Sequence, residues 1–267
     1  MKLLMLDMDG TLLTNDKNVT DKTRKCLLGL KERNIKIGIA TGRPVFNVKR
    51  ALVNYNLVGI VDYVVGLNGV EIGNLQNDTI QLQEQITSDM TKDIYFKIKS
   101  TDLNMVTYRY QEGAYARFDE PRVHRLCNNL LLPLIVYDFS NDDQIWNKVL
   151  ITRNYPFSKE ECEWLLSLNN DQYHGFITDI DCFEIVNSKV SKASGIQVLC
   201  DQMGITINEV MAFGDSGNDI EMLSSVGIGV AMGNASSEVK SVAKYETLSN
   251  EEDGIVYFVE KYLEDRV

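Results

Sequence analysis

Two carboxylates two residues apart, in Leu6-Asp7-Met8-Asp9-Gly10-Thr11, end an apolar run at the start of the chain. Acids that close together repel unless a cation or a proton sits between them, so the pair is a candidate metal-binding or acid–base centre. Thr41-Gly42-Arg43-Pro44 offers a hydroxyl and free N–H groups ahead of a helix, which is an anion-binding arrangement; a simple N-cap by Thr41 is the plain alternative. Lys192, in Lys189-Val190-Ser191-Lys192, places a cation at a helix N-terminus, where it opposes the macrodipole unless an anion lies nearby. Taken by itself it reads as a solvated surface lysine. Phe213-Gly214-Asp215-Ser216-Gly217-Asn218-Asp219 again follows an apolar run, and Asp215, Asn218 and Asp219 supply the hard oxygen ligands that magnesium prefers.

The elements that must position these groups are legible from hydrophobic periodicity. Residues 2–7 form a buried strand, and Val19-Thr20-Asp21 opens a helix to about Arg33, with Cys26, Leu27 and Leu30 at helical spacing. Asn34 takes the slot after that helix, where a left-handed residue is usual. Ile35 to Ala40 is a strand, a helix follows with Pro44 in its first turn, and 62–66 is a third strand after which Asn68-Gly69 turns into a short hairpin. Between about 84 and 187 helices mix with hairpin strands, the signature of an α+β module. From about 190 the βα alternation returns, with strands at Val210–Phe213 and Val226–Ala231. One parallel sheet built from two separated stretches, interrupted by an inserted unit, is the economical arrangement. It puts Asp7, Thr41 and Asp215 at carboxyl ends of strands, the edge where α/β sheets bind ligands.

A net charge of −11 disfavours nucleic acid and anionic membrane as partners, and requires any phosphate site to be locally positive. No apolar run approaches the roughly 18 residues of a membrane span, and the N-terminus lacks a signal-peptide core. Five scattered cysteines without a C-x-x-C pair suit reduced thiols in the cytoplasm, and two histidines leave little room for a histidine triad or zinc site.

These motifs occur in order on the right strand ends, and together the chain resembles haloacid-dehalogenase-superfamily phosphatases, specifically the Cof-like branch with a type IIB cap. The matching residues are Asp7-Met8-Asp9-Gly10-Thr11, Thr41-Gly42-Arg43, Lys192, Gly214-Asp215 with Asn218-Asp219, Met232-Gly233-Asn234-Ala235 and Glu252-Asp253-Gly254. The resemblance implies an α/β fold: a Rossmann-like parallel-sheet core from residues 1–83 and 188–267, with an α+β cap at 84–187 that sets substrate specificity. It implies a magnesium-dependent phosphatase of small phosphorylated metabolites, sugar phosphates or similar, working through an aspartyl-phosphate on Asp7. Asp9 is then the general acid and base. Met8, Thr41, Gly42, Lys192 and Asn218 bind the phosphoryl group, and Asp7, Asp9, Asp215, Ser216 and Asp219 surround the metal. In the cap, Tyr108, Tyr110, Tyr115 and Phe118 are candidate stacking groups and Arg109 and Arg117 candidate anion contacts, against the plainer reading of sheet packing. A phosphomutase using the same Asp pair and a non-catalytic phosphometabolite-binding module are the rival readings. Oligomeric state is not encoded in these motifs.

Overall fold

The structure is a computed structural model that describes residues 1–264; the last three residues of the expected second core segment lie outside the described residues. The chain falls into two compact units, Met1–Gln83 with Val190–Val267, and Glu84–Lys189.

The first unit begins with β1 (Leu3–Leu6), α1 (Asp21–Glu32), β2 (Lys36–Ala40), α2 (Val45–Asn54), β3 (Tyr63–Gly66), β4 (Glu71–Asn74) and β5 (Thr79–Leu82). The second unit holds α3 (Ser88–Ile98), β6 (Asn104–Arg109), β7 (Gly113–Ala116), α4 (Pro121–Leu130), β8 (Leu134–Val136), β9 (Val149–Thr152), α5 (Lys159–Leu166), β10 (Tyr173–Asp179) and β11 (Cys182–Asn187). The chain then returns to the first unit with α6 (Lys192–Met203), β12 (Val210–Gly214), α7 (Ile220–Ser225), β13 (Ile228–Ala231), α8 (Ser237–Val242), β14 (Tyr245–Glu246) and α9 (Gly254–Glu264).

Among the described residues, the first unit's strands form one eight-stranded sheet in the order β14-β13-β12-β1-β2-β3-β4-β5. It is parallel from β14 to β3, and β4 and β5 add antiparallel. The short hairpin expected at Asn68-Gly69 is β4 returning antiparallel to β3, because so short a turn permits no crossover. Strand pleating splits β1 between the two sheet faces. Leu4 and Leu6 pack with Leu27 and Leu30 of α1, Val48 of α2 and Val259 of α9, whereas Leu3 and Met5 pack with Ile196 and Leu199 of α6 and Val239 of α8. Both faces are therefore covered, as an apolar parallel sheet requires. β1 lies between β2 and β12, so the chain order reverses there and a crevice is expected at the carboxyl ends of β1 and β12.

The second unit has its own six-stranded sheet in the order β10-β11-β9-β6-β7-β8, antiparallel except for β7–β8. Met105, Val149, Ile151, Phe183 and Ile185 pack with Ile94 and Ile98 of α3 and Leu165 of α5. β8 is too short to leave a periodic signal. No helix among the described residues is long and apolar enough to cross a membrane.

Candidate active site

β1 delivers Asp7 to the sheet edge: its N–H continues the ladder by donating to the Phe213 carbonyl of β12 (3.0 Å), and the residue is buried with 6% exposure. The chain then turns back sharply, with Leu12 N–H on Asp7 O (3.2 Å) and Leu13 N–H on Met8 O (2.9 Å). Gly10 makes the turn possible at φ +86°, and a Cβ there would stand 2.4 Å from Asp215 Oδ2. Thr11 Oγ1 donates to Asp215 Oδ1 (2.8 Å), and Asn234 Nδ2 donates to Gly10 O (2.8 Å). Met232-Gly233-Asn234-Ala235 thus steadies the loop that carries the first acid pair.

Lys192 overturns its reading as a surface residue. It is 1% exposed, and its ammonium donates to Asp7 Oδ1 (2.6 Å) and Asp219 Oδ1 (2.7 Å). The adverse position at the start of α6 is repaired by those two carboxylates. Asp219, fully buried, accepts on its other oxygen from the N–H groups of Asp215 and Ser216 (3.0 Å each). Both its oxygens are thus engaged, and it locks Lys192 to the 215–216 turn. Ser216, at the surface, donates its hydroxyl to Asp215 Oδ2 (3.2 Å).

Asp7, Asp215 and Asp219 bring carboxylate oxygens within 4.8 Å of one another. Burial pushes Asp7 up to about 8, partly opposed by Lys192 and reinforced by Asp219 and Asp215. Burial likewise raises Asp215, partly offset by the Thr11 hydrogen bond. Lys192 goes up despite its burial, because Asp219 and Asp7 face it. Three carboxylates against one ammonium leave an uncompensated negative charge in a buried place, and this donor set fits a hard divalent cation.

Asp9 lies apart from that cluster. Arg43 grips it with Nε on Oδ2 (2.9 Å) and Nη2 on Oδ1 (2.7 Å), and Lys17 Nζ reaches Oδ1 (2.8 Å). Partial burial would raise it, but the Lys17 and Arg43 bonds win and hold Asp9 below the usual carboxylate range. Neither cation was singled out from sequence as an Asp9 partner, since spacing says nothing about contacts 8 and 34 residues away.

Thr41 is buried just past β2, donating its N–H to Val65 O (2.8 Å) and accepting on its hydroxyl from Arg43 N–H (3.2 Å). It does not cap α2; Pro44 occupies the flanking position before Val45, one residue earlier than expected. Asn218 donates to Asn68 Oδ1 (3.0 Å), a partner that the Asn68-Gly69 turn signal did not announce. The Met8 side chain lies fully in the core, which leaves only its backbone for a ligand. The structure therefore brings Asp7, Lys192, Asp215 and Asp219 into one cluster and tethers Asp9 and Asn218 through separate bonds.

In the second unit the candidate substrate contacts are mostly structural. Arg117 donates to the carbonyls of Ile98, Lys99, Thr101 and Leu103 and so closes the end of α3, and the Tyr115 ring packs on Tyr137 and Trp146. Arg109 lies over the Trp146 ring at 4.5 Å and bonds Gln144. Tyr108 is buried, while Tyr110 and Phe118 are exposed.

Comparison with known proteins agrees with this architecture. The model of the haloacid dehalogenase-like hydrolases matches residues 4–259. The YxeH protein of Bacillus subtilis (strain 168) is 30% identical over 272 residues, covering 97% of each chain. From the same organism, 5-amino-6-(5-phospho-D-ribitylamino)uracil phosphatase YitU is 29% identical, again over 97% of each. A crystal structure of a haloacid dehalogenase-like hydrolase from Bacteroides thetaiotaomicron superposes with a TM-score of 0.80 at 27% identity, covering 98% of this chain and 99% of that one. With the acid pair just after β1, the buried lysine and the acidic turn after β12 in place, the chain belongs to the haloacid dehalogenase-like hydrolases.

Proposed function

We propose that this hydrolase is a phosphatase that cleaves phosphate monoesters of small metabolites through an aspartyl-phosphate on Asp7. The observation that carries the reading is a buried carboxylate at a strand end, 2.6 Å from a buried ammonium and beside Asp215. The relative named for a phosphoribitylaminouracil phosphatase supports a small phosphorylated substrate, and sugar phosphates or similar metabolites are the class we favour. The free cysteines suit a reducing, cytoplasmic setting.

Asp7, the Asp9 carbonyl and Asp215 would hold Mg²⁺, with Ser216 and Asp219 bordering them. When bound, the ion would neutralise phosphoryl charge and keep Asp7 ionised. In the first half-reaction an Asp7 oxygen attacks phosphorus in line, the ester P–O bond breaks, and the leaving oxygen takes a proton from Asp9. In the second, Asp9 accepts a proton from water, the hydroxide oxygen bonds phosphorus, and Asp7 leaves as a carboxylate with inorganic phosphate. The Arg43 and Lys17 bonds favour ionised Asp9, which suits the second half; Asp9 must gain a proton before it serves the first. Such acid–base help is worth about 10²–10⁴ in rate. Lys192, Thr41, Asn218 and the Gly42 and Met8 amides would cradle the phosphoryl oxygens, because phosphoryl transfer depends chiefly on positioning and charge neutralisation. The inserted unit, 84–187 by sequence, is the proposed source of substrate specificity.

A screen of phosphorylated metabolites with Mg²⁺ or with chelator, read by phosphorus NMR, tests this reading. Free phosphate should appear only with Mg²⁺, and Asp7→Asn should abolish turnover while preserving the circular dichroism spectrum. Near-normal rates in that variant, or an isomerised phosphosugar without free phosphate, would reject it.

A further inference from the structure

Residues 67–69 carry an unusual backbone. Leu67 (φ 49°), Asn68 (φ 55°) and Gly69 (φ 114°) are three consecutive residues on the left-handed side, and the first two are not glycine. Such conformations cost about 1–2 kcal/mol for each residue with a Cβ, and they persist only where surrounding contacts hold them. The contacts are specific. Leu67 N–H donates to Arg43 O (3.1 Å) and Asn68 N–H to Thr41 O (3.0 Å), so the turn is bonded to both flanks of Gly42. The Asn68 side chain, 2% exposed, accepts from Asn218 Nδ2 (3.0 Å). Its amide also lies so close to Gly42 that a Cβ there would be 3.2 Å from Asn68 Nδ2. Gly69 rests on the residue before Lys192: a Cβ at Gly69 would fall 2.2 Å from Ser191 O. One three-residue turn at the end of β3 thus touches the Thr41–Arg43 loop, the start of α6 and the acidic turn after β12.

We propose that Asn68 is a positioning residue that fixes Asn218 and the Thr41-Gly42 loop as a single phosphate-binding unit, and that the left-handed run at 67–69 exists to aim it. This deepens the phosphatase reading and rests on it, since the groups being positioned are those assigned to the phosphoryl oxygens. The turn lines up three segments that are far apart in sequence, and its Asn68 side chain accepts from Asn218 while lying against Gly42. Without the Asn68 carbonyl, Asn218 loses the acceptor that orients its amide, and an anion must then order that side chain on binding. The role belongs to the amide, because glycine adopts the same φ without strain.

The test separates backbone from side chain. Asn68→Gly keeps the left-handed turn and removes only the amide. Inorganic phosphate is titrated calorimetrically, with Mg²⁺ present, into wild type, Asn68→Gly, Asn218→Ala and the double variant, each melted alongside. Losing one oriented hydrogen bond should raise the phosphate Kd about tenfold in either single variant. The double variant should lose no more than Asn218→Ala alone, because both substitutions break one unit. Asn68→Asp, which keeps an acceptor for Asn218, should retain that coupling. Wild-type phosphate affinity in Asn68→Gly, or losses that simply add, overturns the inference, as does a wild type that binds no phosphate. A wild type that binds phosphate with this coupling yet releases none from any monoester leaves the inference standing and sinks the phosphatase reading.

Discussion

At the residue scale, the centre is governed by an imbalance of charge. Asp7 and Asp219 share one ammonium while Asp215 lies within reach of both, so folding brings together more negative charge than Lys192 neutralises. The consequence is a pH dependence with a definite sign. Burial moves the Asp7 carboxyl from 3.8 in the unfolded chain to about 8 in the folded one, so the folded state binds a proton that the unfolded state has lost across that window. Stability of the chelator-treated protein is therefore greatest toward the acid end and declines as pH climbs toward 8. Urea denaturation at pH 5 to 8.5 in EDTA should show that decline, and Asp7→Asn should flatten most of it; a wild-type profile that stays level would contradict the charge assignment. The direction is opposite to that of Asp9, whose carboxyl is held low by Lys17 and Arg43.

At the element scale, the first turn of α6 sets the reach of Lys192. Ser191 caps the helix through Oγ, accepting from Ser194 N–H (3.1 Å), and Ser194 Oγ accepts from Ser191 N–H (2.9 Å). Those two bonds hold the residue just before Lys192, so the ammonium enters the core from a fixed base. Ser191→Ala should lower stability by about 1 kcal/mol, the ordinary cost of a lost N-cap. It should also lower kcat severalfold, because Lys192 starts from a looser turn. Denaturation midpoints and steady-state kinetics on one phosphomonoester separate the two effects; unchanged kcat alongside the stability loss would mean that the cap serves the helix alone. β1 and β12 act similarly as rigid rails, each buried along its whole length and each followed directly by an acid.

At the scale of the whole molecule, an inserted unit interrupts the larger sheet without sharing its hydrogen-bonded strands. The second unit is one contiguous segment, Glu84–Lys189, with a core of its own and with ends that meet. Lys189 Nζ lies 3.6 Å from Glu84, Asn187 Nδ2 donates to Gln85 O (2.9 Å), and Ile86 bridges to Trp146. A segment with closed ends and a private core meets the requirements for independent folding. Residues 84–189 expressed alone should therefore melt cooperatively and show the circular dichroism of a mixed helix and sheet. A spectrum of unfolded chain would show that this core is insufficient by itself.

From sequence alone came the family resemblance, the βα alternation and the identities of the acids, because strand and helix periodicities are local and a motif on a strand end announces its own geometry. The edges of that reading blurred where local signals are weak: the three-residue β8 and the start of α2. What only the tertiary structure decided are the partners: Lys192 turned from a surface lysine into a buried clamp on Asp7 and Asp219, Asp9 fell to Arg43 and Lys17, and Asn68 became the acceptor for Asn218. Each of those contacts joins residues brought together only by strand order, and a side chain's charge or amide carries no record of which distant group the fold will set against it.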